Sequence, residues 1–467
     1  MALEDLPEEI ISRIIEDIKI VEEDGSEDSA FWQTKPNFIH NSPFWVRSLA
    51  SICLTSRKLN RIATPYLYHS YTSLERFGRY PFRRFLHTII NNPDLAVHVK
   101  KVRIGKAFSI PSSENLQVAS VDDEWDVLFR ASIRSGLLHP AWKPEYTGDS
   151  QGHAVGYNFE EEAPFYYSLK NGLGNEARIQ LLVSLLPNLQ SLHLHNRAAG
   201  TGKSPWPQQL LRTRNALQKL QELSVEFDVL EEWHLSSFVP LFQLSLLTKA
   251  KFRSGVLTDK KSYLPDLGKL SVTTLGFYRV STWSDAMRPL LVSAEGVETF
   301  EYNNFCAIHA ASGARIVNFL KIHSASLKQL SIAHSGSRDC ELPPIGSLVN
   351  FNCLQKLTVS IENLMGHRCI DYPVLTDLLP HSLQSLVLIV TPHTDSIKNS
   401  YVEHLAVVGR ERFPVLEDVV IRLTYSCGTN LRPLTEGLFA AGGIAFKVIT
   451  TYCDRKSRCD KHKDDIL

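Results

Sequence analysis

The sequence predicts an α/β chain: a short three-helix module at the N-terminus, then an irregular solenoid with parallel strands on its concave face and helices on its convex face. Three observations predict it. An apolar triplet spaced as LxxLxL recurs from residue 189 to residue 421 at intervals of 25 to 33 residues. Helix-like stretches such as SDAMRPLLVSA, GARIVNFLKIHSASL and SYVEHLAVVGRERF fill the intervals. The first 70 or so residues have capped helical periodicity and no strand pattern.

The opening DLPEEIISRIIEDI is a strong helix start. Asp5 is placed to cap, Glu8 stands three residues on as in a capping box, and Pro7 falls in the first turn, where a missing N–H costs nothing. Leu6, Ile10, Ile11, Ile14, Ile15 and Ile18 form one apolar stripe, with Glu9, Arg13, Glu16 and Asp17 opposite. Leaving six such side chains wet costs on the order of 10 kcal/mol, at roughly 1.5–3 kcal/mol each, so the chain or a partner must cover them. Residues 21–44 mix acidic residues with Gly, Ser, Pro and the pairs Phe31-Trp32 and Phe44-Trp45, and read as an inserted loop with aromatic anchors. Helical spacing resumes with Val46, Leu49, Ile52 and Cys53, then Leu59, Ile62 and Ala63 after a cap at Thr55, and Pro65 is expected to stop the last helix. Three helices this short cannot bury all their apolar faces unaided.

The repeat reads Leu189/Leu192/Leu194, Leu220/Leu223/Val225, Leu247/Ala250/Phe252, Val272/Leu275/Phe277 and Val297/Phe300/Tyr302. It continues as Leu327/Leu330/Ile332, Leu354/Leu357/Val359, Leu383/Leu386/Leu388 and Leu416/Val419/Ile421. With 43% apolar residues, chance alone supplies such a triplet at roughly 8% of positions under a composition prior, so the spacing and the helical filling carry the assignment. Alternation puts the triplets into the core and the residues between them on the concave strand face, where a ligand would sit. Val99/Val102/Ile104 reads as an earlier unit, followed by a large insertion over 105–175 that is partly helical around Trp125–Ser132. The expected division is 1–75 for the helical module, 76–186 for a linker, first repeat and insertion, 187–450 for the solenoid and 451–467 for a charged, frayed tail.

Composition narrows the chemistry. Fifty Lys and Arg against fifty Asp and Glu leave no bulk field to draw the chain to nucleic acid or anionic lipid. No run of 18 apolar residues and no basic, apolar leader occurs, and eight scattered cysteines read as reduced thiols, so a cytoplasmic or nuclear location is expected. GTGKS at 200–204 resembles a phosphate loop, but Arg197 stands where its first glycine belongs and Pro205 and Pro207 follow, so Lys203 reads as a loop charge. Cys453, Cys459 and His462 lack a paired knuckle and a fourth ligand. No nucleophile elbow, zincin helix or kinase signature is present. The expectation is no catalysis, no cofactor and no metal. Candidate ligand contacts on the concave face are His193, His195, Glu222, Glu226, Lys249, Lys251, Arg253, Tyr278, Glu301, Lys356 and Arg422. The basic strand at 249–253 suits an acidic or phosphorylated segment.

The N-terminal residues resemble an F-box. Leu6, Pro7 and Glu9, then Ile10 and Ile14, then Leu49 and Ile52, Ser56-Arg57, and finally Leu59, Ile62 and Tyr68 follow that family's pattern over about 50 residues, with the segment 21–44 as a departure. PDLAVHVKKVRI and the array after it are similar to the F-box/leucine-rich-repeat proteins of filamentous fungi. The resemblance implies a substrate-recognition adaptor of an SCF (Skp–cullin–F-box) ubiquitin ligase, acting in ubiquitin-dependent degradation and performing no chemistry itself. It implies that Leu6, Pro7, Ile10, Ile14, Leu49, Leu59 and Ile62 dock a Skp-family linker and, through it, a cullin–RING core, while the repeats bind a target protein. A scaffold or binding module acting outside a ligase has the same residues and stays open.

Overall fold

The computed structural model describes residues 3–23, 44–73, 81–105, 121–140, 163–171, 176–196, 213, 216–227, 232–257, 267–282, 284–304, 313–334, 344–366, 374–390, 399–423 and 433–450. The GTGKS motif, Phe31-Trp32, the cysteines of the tail and most of the 21–44 segment lie outside them. The chain divides into two compact units, Met1–Arg197 with Pro205–Leu223 and Ala198–Ser204 with Ser224–Leu467. The fold is α/β, with twelve strands among the described residues taking parallel neighbours in chain order.

Unit 1 opens with a 3-10 turn at Leu3–Asp5 and helices α1 (Glu8–Glu23), α2 (Phe44–Thr55) and α3 (Arg57–Leu67). Strands β1 (Ser70–Ser73), β2 (Lys101–Ile104) and β3 (Ser191–Asn196) follow, each paired in parallel with the next. Between these strands the chain forms α4 (Pro81–Asn91), α5 (Pro93–Ala96), α6 (Val121–Ser135), α7 (Ala163–Asn171) and α8 (Glu176–Ser184), which pack on one another. The helix expected around Trp125–Ser132 is thus α6. Tyr71 of β1 stacks on Phe85 of α4 with ring centroids 4.0 Å apart.

Strand β4 (Glu222–Phe227) falls at the division between the units. Unit 2 then runs β5 (Glu232–Trp233), β6 (Lys249–Arg253), β7 (Val256–Leu257), β8 (Thr274–Tyr278), β9 (Ser281–Thr282) and β10 (Thr299–Asn304). It continues with β11 (Gln329–His334), β12 (Lys356–Ser360), β13 (Ser385–Val390), β14 (Asp418–Leu423) and β15 (Ala445–Thr450). β6, β8 and β10 to β15 form a parallel ladder in chain order, while β5, β7 and β9 pair as a short side ladder. The chain turns from the main ladder into the side ladder through Ser254 and Arg279, both at positive φ, where their N–H groups bond Tyr278 O and Asn303 O at 2.7 and 2.6 Å. Helices at Ser284–Ser293, Gly313–Leu320 and Asn399–Arg412 occupy the stretches read as helical.

Every residue of the ten apolar triplets is buried, as alternation on a half-covered strand requires. In unit 2 the interior also carries a run of rings: Phe227 on Trp233 at 4.6 Å, Trp233 on Phe252 at 5.0 Å and Phe252 on Phe277 at 5.6 Å between centroids.

One buried polar side chain clamps this interior. The Nε2 of His323 donates to Leu291 O at 2.7 Å, and its Nδ1 accepts from Val297 N at 3.4 Å. A carbonyl can only accept and an amide N–H can only donate, so the partners select the tautomer. His323→Leu strands two buried backbone groups at about 1–3 kcal/mol each. It is expected to lower unfolding free energy by about 2–4 kcal/mol with an unchanged m-value, measured by urea titration.

Candidate functional site

The N-terminal helices are built around a single core. Ile11 and Ile15 of α1, Leu49 of α2, and Leu59, Ile62 and Ala63 of α3 are buried together, with Leu6, Val46, Ile52, Cys53, Tyr66 and Leu67 packed around them. α1 begins at Glu8, and the carbonyl of Pro7 accepts from both Ile10 N and Ile11 N at 3.1 Å. Asp5 ends the preceding 3-10 turn. The cap of α3 is Ser56, which is extended and accepts from Leu59 N at 3.3 Å, while Thr55 ends α2 by donating to Ile52 O at 2.7 Å. Pro65 does not stop α3. It lies in the last turn, which Tyr68 N closes on Thr64 O at 3.0 Å.

Polar bonds fix α1 against α3. Lys58 Nζ donates to Leu6 O at 2.9 Å, Arg61 pairs with Glu8, and the Tyr66 hydroxyl donates to Glu16 Oε1 at 3.2 Å. Burial pushes the Cys53 thiol above its ordinary pKa, with a contact to Thr64 opposing, which keeps this cysteine a protonated core residue.

The predicted docking residues separate into two groups. Leu49, Leu59 and Ile62 face inward and hold the helices together, so these three cannot be a contact surface in this conformation, and Leu6 is partly buried against them. Pro7, Ile10 and Ile14 are exposed, the isoleucines to 47% and 37%. Leu3 and Leu54 are exposed too, Leu54 to 88%, and neither was picked out from sequence. The side chain of Ile18 lies outside the described residues.

The second candidate surface is the strand face opposite the triplets. In unit 1, Ser191 Oγ donates to Glu222 Oε2 at 3.1 Å, and Arg103 and His193 share a register position. His193 is half-buried, but His195 is only 8% exposed. It is a buried residue, not the exposed one that strand alternation implies.

In unit 2 the face has three rows set by register. The first runs Lys249, Thr274, Thr299, Gln329, Lys356, Ser385, Asp418. The second runs Lys251, Gly276, Glu301, Ser331, Thr358, Val387, Val420. The third begins Arg253, Tyr278, Asn303, Ala333 and ends Ser360, Ile389, Arg422, Ile449. Lys249 and Lys356 are exposed, while Glu226, Lys251, Arg253, Glu301 and Arg422 are half-buried. Tyr278 is buried because Gly276 leaves room for its ring: a Cβ at Gly276 would stand 2.7 Å from Tyr278 Cε2. The Tyr278 hydroxyl donates to Glu301, Gln329 Nε2 donates to the same carboxylate at 3.4 Å, and the Arg253 guanidinium lies 5.6 Å from the Tyr278 ring centre.

The far end of the face has another character. Val387, Ile389, Val420 and Ile449 surround Arg422, whose guanidinium is held below its ordinary pKa by burial alone. This apolar end was missed from sequence. The signal was present in SLVLIV, where apolar residues occupy both alternating positions.

On the helical side of unit 2, a groove of about 510 Å³ is lined by Arg315, Phe319, Lys321, Ile345 and Ser347 among others. Among the described residues that line it there is no acid–base pair. Among the described residues no group of three His, Cys, Asp or Glu side chains is placed to hold a metal ion, and no helix is long and apolar enough to cross a membrane. No protein-family model and no curated protein matches the chain.

Two predictions follow from this geometry. Leu49→Ala is expected to cost about 2–5 kcal/mol as a buried truncation, whereas Ile10→Ala changes stability by no more than about 0.5 kcal/mol; equal losses in urea titrations would place both in the core. Gly276→Val forces the Tyr278 ring off the sheet and is expected to cost about 1–3 kcal/mol. The Gly276→Val/Tyr278→Ala double change should cost less than the sum of the single changes, since the two side chains compete for one volume.

Proposed function

We propose that the chain is the target-recognition adaptor of an SCF-type ubiquitin ligase, with α1 to α3 as its F-box and the strand array as leucine-rich repeats. The observation that carries this reading is the exposed apolar stripe of α1. Ile11 and Ile15 already complete the module's own core, yet Leu3, Ile10 and Ile14 remain in water beside them. Apolar side chains left over by a finished core mark a place for a partner, and the resemblance of Leu6, Pro7, Glu9, Ile10 and Ile14 to the F-box start names that partner as a Skp-family linker. Leu49, Leu59 and Ile62 then hold the shape of the surface without touching the linker.

The repeats supply the other half. Their strand face presents a basic strand, a Tyr278–Glu301 pair and an apolar end around Arg422, which is a surface for a protein segment and not for a small substrate. The adaptor would act by raising the effective concentration of a bound target beside the ubiquitin-loaded conjugating enzyme, breaking no bond itself. Such a role belongs in the cytoplasm or nucleus.

The test is a pull-down of tagged full-length protein beside Ile10→Asp/Ile14→Asp, probed for the Skp-family linker and the cullin. Both are expected with the wild type and neither with the variant, whose urea midpoint stays at the wild-type value because both sites are exposed. Recovery of the linker without the cullin assigns the scaffold role outside a ligase. A folded wild type that captures neither overturns the F-box reading.

A further inference from the structure

Strand β15 pairs with β14 on one side, and among the described residues no strand pairs with its other side. Its inward positions are only half covered. By register Phe446 continues the row of Val419, and Val448 continues the row of Ile421. Val419 and Ile421 are 0% and 2% exposed, whereas Val448 is 40% exposed and Phe446 is half-buried, its ring stacked on Phe439 with centroids 4.7 Å apart. An edge strand whose core row opens to water is a template for another strand.

The backbone agrees. Ala445 N donates to Glu417 O at 2.8 Å, and along a strand successive residues turn their N–H and C=O groups to opposite sides. Ala445, Lys447 and Ile449 therefore address β14, while Phe446, Val448 and Thr450 present their backbone groups to the open edge. The residues that follow are unsuited to cover it. A strand laid back on β15 needs apolar side chains at alternate positions, and from Asp454 to Asp465 Cys459 is the sole apolar residue.

We infer that β15 is the surface on which a second copy of this chain docks, the two strands pairing antiparallel about a two-fold axis at Val448. Such a contact is isologous, so one open edge must complement itself. The axes that set open residues opposite open residues and align five residues of the strand lie at Lys447 and at Val448. An axis at Lys447 sets the one charge of AFKVIT directly against its counterpart. With the axis at Val448, that residue meets its own counterpart and Phe446 meets the second copy's Thr450, each the doubly bonded pair of an antiparallel ladder. Lys447 then lies opposite the second copy's Ile449, where its stem covers apolar surface and its amine stays in water. The apolar end of the strand face, with Val387, Ile389, Val420 and Ile449, joins that of the second copy across the axis. This contact does not use α1 and is independent of the ligase reading.

The test is analytical ultracentrifugation of the full chain across micromolar concentrations. The wild type is expected to approach twice the 52.7 kDa mass of one chain. Val448→Lys sets two ammonium groups face to face on the axis and should weaken self-association at least about tenfold. Its urea midpoint, taken where both proteins are single chains, stays at the wild-type value because the side chain is exposed. If Val448→Lys does not fold, Val448→Cys is the second variant. Its two Cα atoms would stand about 5.5 Å apart in the bonded pair, within disulfide reach, so mild oxidation should yield a covalent dimer above the wild-type background, and Lys447→Cys should not. A wild type that stays a single chain overturns the inference and leaves the edge to a different protein's strand. A folded Val448→Lys that associates like wild type overturns it too, as does a Val448→Cys that cross-links no more than wild type.

Discussion

One backbone contact recurs at nearly every strand and sets the rest. The carbonyl just ahead of a strand accepts two N–H groups from the start of the next. In unit 1, His69 O takes Lys100 N and Lys101 N, and Lys100 O takes Gln190 N and Ser191 N. In unit 2, Thr248 O takes Thr273 N and Thr274 N, Lys328 O takes Gln355 N and Lys356 N, and Gln355 O takes Gln384 N and Ser385 N, all between 2.7 and 3.1 Å. The joint fixes where each strand begins relative to its neighbour. Because side chains alternate with period two, a slip by one residue would turn every buried triplet outward. With the joint and the triplet held, the remainder of each repeat is free to vary, which is why intervals of 25 to 33 residues coexist in one ladder.

The N-terminal module obeys a different constraint. Helices of 16, 12 and 11 residues are marginal alone, and they persist by sharing one small core and the polar ties of Lys58, Arg61 and Tyr66 to α1. A core that small uses only one side of the isoleucine stripe. The division between Ile11 and Ile15 inside and Ile10 and Ile14 outside follows from helix geometry, since a step of 100° per residue cannot turn six apolar positions toward one narrow seam. Stability and the proposed docking therefore rest on different members of the same stripe.

The strand face was legible in its positions and less so in its character. Alternation alone located Lys249, Lys251, Arg253, Glu301 and Arg422 on it. It did not foresee that Tyr278 would lie down over Gly276, that His195 would be buried, or that Val387, Ile389 and Val420 would make one end apolar. These are consequences of which residues the register sets side by side, and register is decided between strands. The buried Arg178 had no sequence signal at all, because Arg83, His87, Glu124 and Arg178 lie on three helices and meet only when those helices pack.

What the sequence determined by itself was local and periodic: the triplets and their burial, the helices between them, the alternation of the strands and the excess of apolar surface on α1. These follow from side-chain periodicity and composition, which a chain carries without folding. The tertiary structure decided the boundaries and partnerships. It moved the α3 cap from Thr55 to Ser56, carried the helix through Pro65, assigned Leu49, Leu59 and Ile62 to an interior, and brought the Glu124 carboxylate beside Arg83, His87 and Arg178. The physical reason is that caps, burial and ion pairs depend on distances between segments remote in sequence, and those distances exist only once the ladder and the helix layers have closed.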